Sequence, residues 1–180
     1  MTAEPRNQRF EALFREHYPA VRAYALRRSD ADAAQDAVSE TFLVAWRRLE
    51  SVPEDPLPWL YGVARRVLAN QRRSANRRRA LEERLAAAEP ARGGTDPAER
   101  VGEVEAVAQA LAQLRPDDRE ALMLSAWEGL DNTRAARASG CSRPAFGVRL
   151  HRARRRLAQA LDAFELDPVA AQQLDSMEAR

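Results

Sequence analysis

The 180-residue sequence contains no lysine: all 29 of its basic residues are arginine, set against 27 acidic ones. Such usage fits a GC-rich coding bias, although arginine also offers bidentate contacts to phosphate and guanine that lysine cannot make. A single cysteine, Cys141, excludes an internal disulfide, and with His17 and His151 as the only histidines no cluster has metal-ligand spacing. Seven glycines and 6% aromatic residues, beside abundant Ala, Leu, Arg and Glu, favour helices over sheets. An all-α fold is expected. No apolar run approaches the ~18 residues of a membrane span, and the opening MTAEPRNQRFEALF lacks the basic start and apolar stretch of a secretion signal, so a soluble, cytoplasmic protein is expected. A nucleophile elbow, a phosphate loop and a carboxylate pair within a pocket are also missing. The expectation is a protein that is not an enzyme and takes no cofactor, metal or small-molecule substrate.

What the sequence does hold is arginine in two blocks that contain no acid at all. Pro56 to Leu81 carries seven arginines and Asn132 to Leu161 carries eight. Setting those fifteen aside leaves 14 basic against 27 acidic residues, a net charge of −13 for the rest of the chain. A total of +2 therefore conceals two positive surfaces on a negative body, the pattern of a protein that grips a polyanion at two places.

Between the blocks, Ala86 to Glu103 reads AAAEPARGGTDPAERVGE, with two prolines, two adjacent glycines and almost no large apolar residue. This is a linker signal. It predicts a first module over residues 1–85, a linker over 86–103, a second module over 104–166 and a short tail over 167–180. In the first module Phe10, Leu13, Phe14, Val21 and Leu26 suggest a helical hairpin or a helix bent near Pro19. Ser29 or Asp30 can cap the next helix, whose core face is Ala34, Ala37, Val38, Thr41, Phe42, Ala45, Trp46 and Leu49. Opposite lie Asp36, Glu40, Leu43 and Arg47, a face that suits either a partner or solvent. A long helix then restarts at Pro56. Trp59 is expected in its core, and Arg65, Arg66, Asn70, Arg72 and Arg73 lie on its polar side, where Asn can read adenine and Arg can read guanine or hold phosphate.

The second module contains LDNTRAARASGCSRPAFGVRLHRARRRL, residues 130–157. Ala136 and Gly140, four positions apart, fit a helix-turn-helix, with Cys141, Phe146 and Leu150 as expected buried positions. Ser142 is a candidate N-cap and Pro144 falls in the first turn of the second helix. That helix would present Arg143, Arg149, His151, Arg152 and Arg154 to DNA.

Taken together, AQDAVSETFLVAWRRL, PLPWLYGVARRVLANQRR and the helix-turn-helix resemble the extracytoplasmic-function sigma factors of the bacterial sigma-70 family, over roughly Phe10 to Leu161. The resemblance implies two helical domains, similar to sigma regions 2 and 4. It assigns Asp36 and Glu40, with Leu43 and Arg47 beside them, to docking on the β′ clamp helices of core RNA polymerase, whose β subunit is a further partner. It implies opening and reading of the promoter −10 element by the Arg65–Arg73 segment, a flipped-base pocket at the loop Ser51 to Leu57, and −35 recognition by the second module. An anti-sigma factor is implied as a regulatory partner. Three places depart from the family pattern: Arg66 stands where an Asn is common and reads as a phosphate contact, Arg134 replaces a usual Glu, and Pro144-Ala145-Phe146-Gly147 replaces the usual opening of the recognition helix. The residues alone leave a second reading open, an autonomous helix-turn-helix regulator with an N-terminal sensor or dimerisation module.

Overall fold

A computed structural model describes residues 3–86 and 103–165, with side chains over 4–80 and 107–162. Residues 87–102 of the predicted linker and the whole predicted tail lie outside the described residues. The described residues form seven α-helices and one 3-10 turn, with no strand among them, as composition predicted. The helices group into two compact units, one built on α1–α3 and the other on α4–α7.

In the first unit α1 spans Ala3–Leu26, α2 Ala31–Arg47 and α3 Pro56–Ala86, with a 3-10 turn at Leu49–Ser51. The hairpin alternative for the N-terminus is not realised: α1 runs on through Pro19. Proline removes one N–H from the helix ladder, and the packed residues on either side, Leu13 and Val21, hold the turn together despite that loss. α2 starts where the sequence placed its cap, at Asp30, whose carboxylate accepts from the Ala33 N–H at 2.8 Å. Ala34, Ala37, Val38, Thr41, Phe42 and Ala45 are buried along it.

An aromatic seam joins α1 to α2. Phe10 meets Trp46 edge to face at 5.2 Å, and Phe14 meets Phe42 at 4.7 Å. Arg6 finishes this seam by lying over the Trp46 ring at 4.6 Å while donating to the Trp46 carbonyl at 3.0 Å, one of the last acceptors of α2. Tyr24 and Tyr61 stack at 4.7 Å and tie α1 to α3, both of them buried.

The second unit comprises α4 Glu103–Gln113, α5 Pro116–Ala126, α6 Asn132–Ser139 and α7 Arg143–Glu165. Its core is Ala110, Leu114, Leu122, Leu124, Leu130, Ala136, Phe146, Leu150 and Ala153. Two polar devices fasten it. The Arg119 guanidinium donates to the carbonyls of Leu111 and Ala112, both at 2.6 Å, and so satisfies the end of α4 from α5. Arg156 of α7 pairs with Asp118 in the first turn of α5, where the carboxylate is almost fully buried.

Candidate nucleic-acid interface

The faces of α2 and α3 that the core does not use meet in an open groove of about 1260 Å³. Its α2 wall contains all four residues predicted to meet a protein partner, Asp36, Glu40, Leu43 and Arg47. All four are exposed, and Leu43 leaves 40% of its surface bare. The α3 wall contributes Trp59, Val63, Arg66, Asn70 and Arg78. The α2 wall thus carries two carboxylates beside Arg47 and Arg48, the α3 wall carries arginines, and Val44 and Val67 also line the groove.

The five predicted −10 residues do not share a face. Arg66, Asn70 and Arg73 stay together, because they recur at helical spacing and because Arg73 donates to the Asn70 carboxamide oxygen. That bond engages the carboxamide oxygen, and the NH₂ group of Asn70 is the donor half of the same side chain. Arg65 and Arg72, seven residues apart, lie on another side of α3. Arg65 is half-buried, and Arg72 donates to the Arg28 carbonyl at 2.5 Å, while Arg28 lies over the Tyr24 ring at 3.5 Å. Trp59 corrects its sequence reading: it is half-buried at the groove wall, and Tyr61, two residues on, takes the core position instead. Both aromatics fit an apolar periodicity, so the sequence pattern did not separate them.

The loop between α2 and α3 closes a smaller cavity of about 310 Å³, in which Val52, Pro53, Glu54 and Pro56 face Leu13, Glu16 and His17 of α1.

In the second unit the helix-turn-helix is formed as its spacing predicted. Asp131 caps α6 by accepting from the Thr133 and Arg134 N–H groups at 2.7 and 3.0 Å. The turn passes through Gly140 at φ 69°, a left-handed conformation that costs a side chain about 1–2 kcal/mol. The Cys141 N–H then closes back on the Ala136 carbonyl at 3.0 Å. The Ser142 hydroxyl accepts from the Ala145 N–H at 3.4 Å, and Phe146 and Leu150 are buried. Cys141 is half-buried rather than in the core, because it lies in the turn itself and not on a packed helical face.

Of the predicted −35 residues, Arg143, His151, Arg152 and Arg154 are exposed and Arg149 is half-buried. They divide around α7. With Phe146, Leu150 and Ala153 facing inward, Arg149 and Arg152 share one flank, and Arg143, His151 and Arg154 share the other. The outermost line between them holds Val148, 52% exposed, which charge counting had no means to find. Arg156 also departs from the block as first read, since its partner Asp118 comes from 38 positions earlier in the chain.

Among the described residues no three His, Cys, Asp or Glu side chains are grouped to hold a metal ion. No described helix is long and apolar enough to cross a membrane.

The sequence matches the sigma-70 region 2 family over residues 13–78 and the sigma-70 region 4 family over residues 104–157. It is 33% identical over 150 residues to the ECF RNA polymerase sigma factor SigL of Mycobacterium tuberculosis, covering 81% of this chain and 85% of SigL. Among solved structures it resembles the sigma factor RpoE of Bartonella quintana, determined in complex with the anti-sigma factor NepR. The TM-score is 0.58 and the identity 28%, covering 88% of this chain and 98% of that one. It also resembles CnrH in complex with the cytosolic domain of CnrY, with a TM-score of 0.56, 28% identity, and coverage of 86% and 88%.

Proposed function

Because this chain belongs to the extracytoplasmic-function sigma factors of the sigma-70 family, we propose that its two arginine surfaces divide promoter recognition between them. It is an RNA polymerase sigma factor, a subunit that directs transcription initiation. On this reading the first module, residues 1–85, docks on the β′ clamp helices of core polymerase through Asp36, Glu40, Leu43 and Arg47. The same module engages the −10 element through Arg65, Arg66, Asn70, Arg72 and Arg73. The second module, residues 104–166, lies in the −35 major groove and contacts it through Arg143, Arg149, His151, Arg152 and Arg154, with the β subunit as its neighbour.

The observation that carries this reading is that each matched region holds most of one acid-free arginine block, on the outer side of α3 in one and of α6 and α7 in the other. Two elements some 20 base pairs apart are separated by roughly 65 Å, a span that two modules joined by a linker can cover. The 310 Å³ cavity lined by Val52, Pro53, Glu54 and Pro56 of the Ser51–Leu57 loop is the proposed place for an unstacked base. The chain contributes binding and no reaction of its own. An anti-sigma factor is its proposed regulator, as NepR is the partner of RpoE in the related complex.

Transcription with purified core polymerase tests the assignment. Adding the chain should produce initiation at discrete genomic start sites that core polymerase alone does not use. Absence of any promoter-dependent transcript on a whole-genome template would refute it.

A further inference from the structure

The recognition helix α7 is not arginine along its whole outer side. Pro144, Ala145 and Val148 are exposed, and their spacing of three and four residues puts them on one face, away from buried Phe146 and Leu150. Later in the helix Arg155 continues this line, with His151 and Arg152 on either side of it, all three exposed. The outer strip of α7 therefore begins apolar and ends cationic.

An apolar strip of Pro144, Ala145 and Val148 inside a block of eight arginines matches a partner that is both anionic and locally apolar. Duplex DNA meets both conditions in one place. Its phosphates line the rim of the major groove, and the C5-methyl of thymine is the apolar group presented on the groove floor. In a helix-turn-helix the N-terminal residues of the second helix are the ones that reach base edges.

Gly147 gives independent support. A glycine within a helix costs about 1 kcal/mol relative to alanine, and a Cβ built there meets nothing within 4 Å. Packing among the described residues does not require it. A bare backbone beside Val148 would instead let α7 approach the groove floor closely.

We infer that Val148, with Ala145 and Pro144 beside it, reads thymine methyl groups in the −35 element, and that the exposed arginines further along α7 hold phosphate. Specificity at this element then comes from apolar contact with thymine rather than from bidentate arginine bonds to guanine. This inference rests on the assignment of α7 to the −35 element.

The experiment uses holoenzyme assembled from the full chain and core polymerase of the same organism. It selects from a library of duplexes randomised upstream of the −10 element, amplified once with thymidine and once with deoxyuridine triphosphate. Thymines enriched upstream by the wild-type chain should lose about fourfold in retention at each contacted position when the methyl is absent. Val148→Ala, which shortens an exposed side chain and leaves the helix intact, should abolish that difference at one or two positions. Gly147→Ala should weaken retention of both libraries while the protein melts at an equal or higher temperature. Equal enrichment of thymine and deoxyuridine at every upstream position would overturn the inference, as would a methyl effect that survives in Val148→Ala. Enrichment of no upstream sequence from either library would remove the −35 assignment itself.

Discussion

Arg156 is the arginine of the second block whose loss should damage the fold more than DNA binding. Its partner, Asp118, has a side chain only 9% exposed, whereas the Arg156 side chain is 42% exposed. The two truncations are therefore unequal. Asp118→Ala leaves a guanidinium that can turn to solvent, so the cost is the lost hydrogen bond and the lost acid in the first turn of α5, about 1 kcal/mol. Arg156→Ala leaves a carboxylate buried without its cation, which costs about 3 kcal/mol. Native-state hydrogen exchange on the full chain, followed by mass spectrometry of peptides from α5 and α7, reads both effects. Exchange should accelerate about fivefold for Asp118→Ala and on the order of a hundredfold for Arg156→Ala. The double variant should fall close to Asp118→Ala, because the buried charge is gone from both. Equal acceleration by the two single changes, or no recovery in the double variant, would refute the argument. Were Arg156 instead a phosphate contact only, exchange would be unchanged and the salt slope of DNA binding would drop by about one.

Two other expectations are independent of this pair. Asp36→Arg with Glu40→Arg should abolish binding to core polymerase in a pull-down while leaving the circular dichroism of the helices unchanged, since both side chains are exposed on the groove wall; retained binding would remove the docking assignment. Gly140→Ala should destabilise the second unit by about 1–2 kcal/mol, seen as a lower melting midpoint, because the turn holds φ 69°; an unchanged midpoint would mean that the turn relaxes out of the left-handed region.

Much of this architecture is legible in the sequence, and most of what is not depends on how helices pack. Local signals read well: the Asp30 cap, the α2 core face and the Ala136–Gly140 turn depend on residues within a few positions of one another. Exposed Asp36, Glu40 and Leu43 came from the same helical period. Pairings across elements did not read. Nothing in the local pattern links Arg156 to Asp118, or Arg119 to the end of α4, because each depends on how two helices pack. The arginine blocks were accurate as a count of charge and too coarse as a map. The helical period places Arg65 and Arg72 apart from Arg66 and Asn70, and it exposes Val148 within a run read only for its charge. Trp59 and Tyr61 were ambiguous because either aromatic fits an apolar period of α3, and it is packing against Tyr24 of another helix that puts Tyr61 in the core.

That every cation on the exposed faces of α3 and α7, His151 aside, is arginine rather than lysine bears on how the protein can be controlled. A guanidinium stays protonated at any pH a cell reaches, and methylation leaves its charge in place. With no lysine in the chain, side-chain amine acetylation has no target through which to neutralise either face. The arginine share of the attraction to nucleic acid is thus a constant of the molecule, blind to acidification and to acyl donors. A cell that needs this attraction silenced cannot do so by acetylating amines, and covering the surface with another molecule is the direct alternative.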